Sequence, residues 1–208
     1  MRKKVILPNI LLSSLQKDFR YYMYVLASVI VGGMIAAVFA FTLPELSCKE
    51  LVLYLKDFFQ NISQNGADAS ALLRSGIFTN LKNFGFLFFF SVTVIGAPFL
   101  VIFGAFKGFM HCFTLCLMFR LYGIRAALFL ILGMLPHYLL LIPTYLGVTA
   151  FCLRFSVQLA CEKNDFKKTL PRLLVTLAGF FVPAVMTTLL QAYIEPPLIR
   201  LISGLFLS

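Results

Sequence analysis

AALFLILGMLPHYLLLIPTYLGVTAFCL, residues 126–153, is apolar for longer than a bilayer is thick, yet it is interrupted by Pro136, His137 and Pro143. Roughly 20 apolar residues at about 1.5 Å rise each cross the hydrocarbon core, so the run reads as a membrane span with length to spare for tilt or a kink. A polar ring at that depth needs a partner, because lipid offers none. The run therefore predicts a helix packed against other protein rather than one facing lipid on all sides.

The whole chain has the same character. Of 208 residues, 61% are hydrophobic and 12% charged, with a mean hydropathy of +0.93, against about 45–50% apolar and 25% charged in an ordinary soluble domain. This predicts an all-α, polytopic membrane helical bundle forming a single integral membrane domain over residues 1–208, with about five transmembrane helices. The spans are expected near 21–43, 84–106, 108–124, 126–153 and 173–194. Residues 1–20, carrying Arg2, Lys3, Lys4, Lys17 and Arg20, read as a cytoplasmic basic segment ahead of an uncleaved first span. Gly108 to Ile124 is short and holds His111 and Arg120, so charge decides whether it crosses. With five spans and a cytoplasmic N-terminus, eleven basic residues fall inside, Lys107 and Arg154 among them, and seven fall outside. The positive-inside tendency favours that arrangement and an extracytoplasmic C-terminus. The net charge of +10 thus orients the chain; its basic residues are not interleaved with aromatics in the manner of a nucleic-acid surface.

Residues 44–83 form the largest piece outside the expected spans and read as an extracytoplasmic helical hairpin. Ser47 and Glu50 have capping-box spacing. Leu51, Tyr54, Leu55, Phe58, Phe59 and Ile62 then share one helical face, which must be buried somewhere. Asn65-Gly66 marks a turn, and Asp68 or Ser70 is placed to cap a second helix. The face of Leu51, Tyr54, Leu55, Phe58 and Phe59 is the candidate partner contact; the alternatives are the outer membrane surface or the chain's own spans.

In the first span, Ser28, Gly32, Ala36 and Ala40 recur every four residues and form a seam that admits close approach of another helix. Pro98, Pro136, Pro143 and Pro183 fall inside expected spans, where each favours a kink. Kinks suit a gated pathway, but static bundles contain them too. His137 invites comparison with a proton relay, yet no Asp or Glu lies inside an expected span and Glu195 follows the last one. Pro136, His137 and Pro143 are therefore read as a structural motif. Cys112 and Cys116, one turn apart beside His111, lack a clear fourth metal ligand, and no metal or other cofactor is expected. The remaining cysteines, Cys48, Cys152 and Cys161, complete no disulfide framework. The acids of residues 44–83 are interleaved with Lys49, Lys56 and Arg74 and do not form a catalytic pair, so the chain is not expected to be an enzyme.

FGFLFFFSVTVIGAPFLVIFGAFKGFMHCFT, residues 84–114, and LGMLPHYLLLIPTYL, residues 132–146, resemble the two central blocks of the stage II sporulation protein M family. Lys107-Gly108-Phe109 and the pattern of Pro136, His137, Ile142 and Pro143 are the most specific parts of the likeness. The wider family often reads Pro-His-Gly with a Glu three residues beyond the Gly; Tyr138 and Leu141 stand there instead, which removes the acid that would have paired with His137. The resemblance implies a membrane scaffold of the engulfment machinery in an endospore-forming bacterium. It would hold peptidoglycan-degrading partners, stage II sporulation proteins D and P, at the septal membrane of the mother cell. Nucleic acid and small-molecule substrates are not expected. The alternative from the residues alone is a small permease with kinked spans around His137.

Overall fold

A computed structural model describes residues 7–65, 68–161 and 166–202, and these are helical almost throughout. Helix α1 (Leu7–Thr42) is followed by α2 (Glu45–Asn65), α3 (Ala69–Ser91) and α4 (Gly96–Tyr122). Next come the short α5 (Arg125–Phe129), a π-helical segment (Leu130–Met134), α6 (Leu135–Cys161), α7 (Phe166–Tyr193) and α8 (Glu195–Ile202). Among the described residues, four stretches are long and apolar enough to cross a membrane: Phe19–Thr42, Gly96–Tyr122, Leu135–Cys161 and Leu170–Arg200. Large apolar side chains such as Met34, Val38, Ile102, Leu139 and Val175 are exposed around the outside, as expected where the surrounding medium is lipid.

Contacts between helices set their directions. Ser28 lies against Gly104, Gly33 against Cys112 and Ala40 against Arg120, so α1 and α4 advance together. Asn83 meets Tyr145 and Thr93 meets Ser156, which makes α3 and α6 parallel. Phe84 meets Phe181 and Asn80 meets Thr188, so α7 runs opposite to α3. Helices α1, α4 and α7 therefore point one way and α3 and α6 the other. One end of the bundle holds Arg20, the Val92–Ile95 turn and Cys161; the far end holds Thr42, Tyr122 and α8.

The helix boundaries differ from expectation between Phe84 and Ile124. Spans near 84–106 and 108–124 are not separate helices: the chain breaks at Val92–Ile95, and α4 then runs unbroken through Lys107 and Gly108. Lys107 thus sits in mid-helix rather than in a cytoplasmic loop. Pro98 falls in the first turn of α4, where its missing N–H would have no intrahelical acceptor and a kink is not called for.

The expected outer hairpin is also corrected. Pro44 supplies the first helical carbonyl, accepting from the Cys48 N–H at 3.1 Å, so α2 starts at Glu45 and Ser47 lies within its first turn rather than at the cap. Among the described residues, α3 has its main packing on helices other than α2. It enters the bundle against α4, α6 and α7, while α2 docks on α8. Asp68 caps α3, accepting from the N–H groups of Ser70 (2.9 Å) and Ala71 (3.3 Å) and from the Ser70 hydroxyl (2.7 Å). Arg2, Lys3, Lys4, Gly66 and Lys163 lie outside the described residues, as do the side chains of Lys17, Phe58, Phe59, Lys167 and Lys168.

The main core joins Val25, Leu87, Leu100, Tyr145, Val148 and Leu173 from α1, α3, α4, α6 and α7. A second cluster at the far end, Met118, Ala126, Phe129 and Ile199, ties α8 and Leu55 of α2 to the bundle.

Candidate functional site

Ser28, Gly32, Ala36 and Ala40 are all buried and face α4. A Cβ on Gly32 would run into the backbone carbonyl of Ala105, and one on Gly108 would run into that of Val29. Only glycine permits this approach of the two backbones. The seam ends where Arg120 donates to the carbonyls of Ala40 (2.6 Å) and Leu43 (2.9 Å), satisfying acceptors that the end of α1 leaves free. Because α1 holds α4 so closely, Lys107 and His111 are fixed at defined positions between α4 and its other neighbours.

Across from them, the chain around Pro136 absorbs a defect. The Leu135 N–H bonds the Leu130 carbonyl, five residues back, and Pro136 has no N–H to offer the next acceptor. The π segment takes up the irregularity and α6 resumes. Pro143 is then carried within α6, and the Thr144 hydroxyl donates to the Leu140 carbonyl at 2.6 Å. His137 is 7% exposed and its Nδ1 pairs with the carboxylate of Glu195, which is 6% exposed. The expectation that His137 has no acid to work with is overturned. Glu195 opens α8, and Ile199 in the far-end cluster holds that helix against the π segment and α5. The acid thus follows the last expected span in sequence but is folded back onto His137 in space.

The pair is one wall of a cavity of about 350 Å³ bounded by α3, α4, α6 and the α7–α8 junction. Lys107 projects over the ring of Tyr145, with Nζ 4.9 Å from the centroid, and lies 5.3 Å from that of Phe103. The Tyr145 hydroxyl donates to Asn80 Oδ1 (2.8 Å) and accepts from Asn83 Nδ2 (2.8 Å). Asn80 Nδ2 in turn donates to the Ala184 carbonyl (2.9 Å) and the Thr188 hydroxyl (2.8 Å). These bonds join α3, α6 and α7 and satisfy the buried amide. Tyr138 stands between the two histidines, its ring centroid 4.3 Å from His137 and 4.9 Å from His111. Ser75, Thr79 and Gln191, all exposed, mark the mouth.

Lys107, His111 and His137 therefore meet at one chamber, although they stand in separate stretches of sequence. Glu195 joins them from beyond the last expected span, and Asn80, Asn83 and Tyr145, which carry no sequence motif, complete the lining. Polar residues at helical spacing in an otherwise apolar stretch, such as Asn80 and Asn83, were the available signal. Cys112 and Cys116 lie with their sulfurs 3.8 Å apart on α4, and among the described residues no group of three or more His, Cys, Asp or Glu is gathered as metal ligands would be.

The candidate partner face is divided. Leu55 packs onto the far-end cluster and Leu51 is half-buried, whereas Tyr54 is 69% exposed. Among the described side chains of α2, the exposed large apolar ones are Leu46, Leu53 and Tyr54.

An all-helical bundle with lipid-compatible flanks and a polar chamber walled by its own helices defines an integral membrane protein. The chain belongs to the stage II sporulation protein M family, whose profile matches residues 25–196, from α1 through the start of α8. That stretch contains every residue of the chamber, and membership makes this a sporulation-related membrane protein. No curated protein and no solved structure matches the chain.

Proposed function

We propose that the protein is a non-catalytic scaffold of the mother-cell septal membrane that recruits stage II sporulation proteins D and P and anchors these peptidoglycan-degrading enzymes during engulfment of the forespore. The N-terminus is cytoplasmic in this reading, and the end of the bundle carrying α2 and α8 faces the cell wall. Arg20, Arg154 and Arg172 then fall toward the cytoplasm, in keeping with the positive-inside tendency.

The observation that carries the reading is the state of α2. It is held to the bundle through Leu55 and α8, yet leaves Leu46, Leu53 and Tyr54 exposed on the proposed wall side. A docked helix with an uncovered apolar stripe suits helix-in-groove or helix-on-helix contact with a partner. The test is co-purification: the detergent-solubilised protein carries a protein D or protein P homologue with it. Recovery of neither, under conditions that preserve other membrane complexes, contradicts the scaffold.

The chamber favours a second reading, a small permease. That reading requires a solvent-accessible polar pathway around Pro136, and cysteine-accessibility labelling that finds the site sealed from both sides of the membrane rules it out.

A further inference from the structure

We propose that the chamber is a binding site for a small anion bearing a carboxylate or phosphate group, with Lys107 as the residue that holds its charge. The inference stands apart from the scaffold reading, since it concerns the interior of the bundle and not α2.

Lys107 carries the argument. Its ammonium lies against the faces of Tyr145 and Phe103, and no carboxylate of the described residues pairs with it. Aromatic faces attract a cation but carry no net charge, so they orient the ammonium without neutralising it. A cation withdrawn from water into a helical bundle calls for a counter-charge. The nearest candidate within the chamber, Glu195, is already engaged by His137. The Asn80, Asn83 and Tyr145 groups are satisfied by one another and by α7, so they shape the floor and leave the positive charge uncompensated.

Size and access agree with a small ligand. A volume near 350 Å³ is about that of a dozen water molecules at ~30 Å³ each, at the low end of the range for small-molecule sites. The exposed Ser75, Thr79 and Gln191 give the mouth a polar rim, and His111 and Tyr138 add polar groups beside the lysine. An anion entering there reaches one cation and several neutral polar groups, while Glu195, the carboxylate among the lining residues, is turned to His137; a phosphate or carboxylate is held without a metal by such a cation and polar neighbours.

The experiment uses the full chain in phosphatidylcholine nanodiscs, with inorganic phosphate or acetate titrated against chloride at constant ionic strength and thermal unfolding as the readout. A saturable rise in unfolding temperature is expected for the unaltered protein and for Lys107→Arg, and its loss for Lys107→Gln. A second arm replaces the lipid with phosphatidylglycerol and adds no phosphate or acetate. A Lys107-dependent rise there, with none from the soluble anions, assigns the anionic group to a lipid headgroup. No rise for the unaltered protein in any arm overturns the proposal, as does a rise that survives in Lys107→Gln. Amine acylation of the unaltered protein keeps the test decisive if the glutamine variant does not fold. Phosphate, or the anionic lipid, slows modification of Lys107 several-fold and leaves the exposed Lys82 unaffected; equal rates at Lys107 with and without the anion contradict binding.

Discussion

The Nδ1 atom of His137 is bonded to the carboxylate of Glu195, joining the residue that follows Pro136 to the first residue of α8, 58 positions further along the chain. Both side chains are largely withdrawn from solvent, so the bond between them stands in for most of their hydration. Removing one leaves the other stranded, whereas removing both leaves only lost packing. Glu195→Ala and His137→Ala should each lower the unfolding temperature, and the double variant should lose less than the sum. The coupling expected from the double-mutant cycle is about 1–3 kcal/mol. Strict additivity in thermal unfolding would show that the pair contributes no joint stabilisation.

The approach of α1 to α4 predicts opposite outcomes at neighbouring glycines. A Cβ on Gly108 collides with the backbone of Val29, which cannot move aside as a flexible side chain can. Gly108→Ala should therefore destabilise by about 1–3 kcal/mol. A Cβ on Gly33 would lie 3.5 Å from Cys112 Cβ, ordinary van der Waals contact. Gly33→Ala is expected to be neutral or slightly stabilising because alanine is the better helix former. Equal effects of the two substitutions would refute the close backbone crossing.

Arg120 holds the end of α1 by two bonds to carbonyls, to Ala40 and Leu43. Its planar fork reaches both acceptors at once, a geometry a lysine ammonium does not reproduce. Arg120→Gln and Arg120→Lys should both speed amide hydrogen exchange in the last turn of α1, leaving α7 unchanged. Full protection retained in Arg120→Lys would mean that charge alone fastens this end.

Asp68 sets a pH dependence at the start of α3. The Ser70 hydroxyl, with the Ala71 and Ser70 N–H groups, holds its carboxyl below the ordinary value of 3.8. A group whose folded pKa is depressed stabilises the folded state fully above its unfolded pKa, and that contribution disappears as pH falls through the folded value. Hydrogen exchange at Ser70 and Ala71 should accelerate below about pH 3.8 relative to the helix interior. Asp68→Asn retains a cap but has no such titration. The same acid-induced opening in the asparagine variant would place its cause elsewhere.

What was legible in the sequence was whatever lies within one helix. The seam from Ser28 to Ala40 follows from a four-residue repeat, and the Pro136 irregularity follows from a missing N–H. Boundaries inside a long apolar stretch were harder to read. Between Phe84 and Tyr122 the conspicuous charge is Lys107, yet the break falls at Val92–Ile95, just before the Gly96-Ala97-Pro98 helix start. A half-buried helical lysine resembles a loop lysine in sequence, because what separates them is the packing of neighbouring helices around it. The chamber was hidden for the same reason: its residues come from different helices, and their meeting depends on register. Glu195 follows the last expected span in sequence, although Pro196 and Pro197 in the first turn of α8 mark a short helix able to carry the acid back over His137.

Site-specific photo-crosslinking during engulfment tests the scaffold most directly. With the photoreactive residue placed at Leu53 or Tyr54 on the exposed stripe of α2, adducts to stage II sporulation protein D or P are expected if α2 recruits them. Placement at the exposed Val175 on the flank of α7 should give none. Absence of such adducts from both α2 positions, in a protein present at its normal level in the membrane, would rule out recruitment of these enzymes through α2.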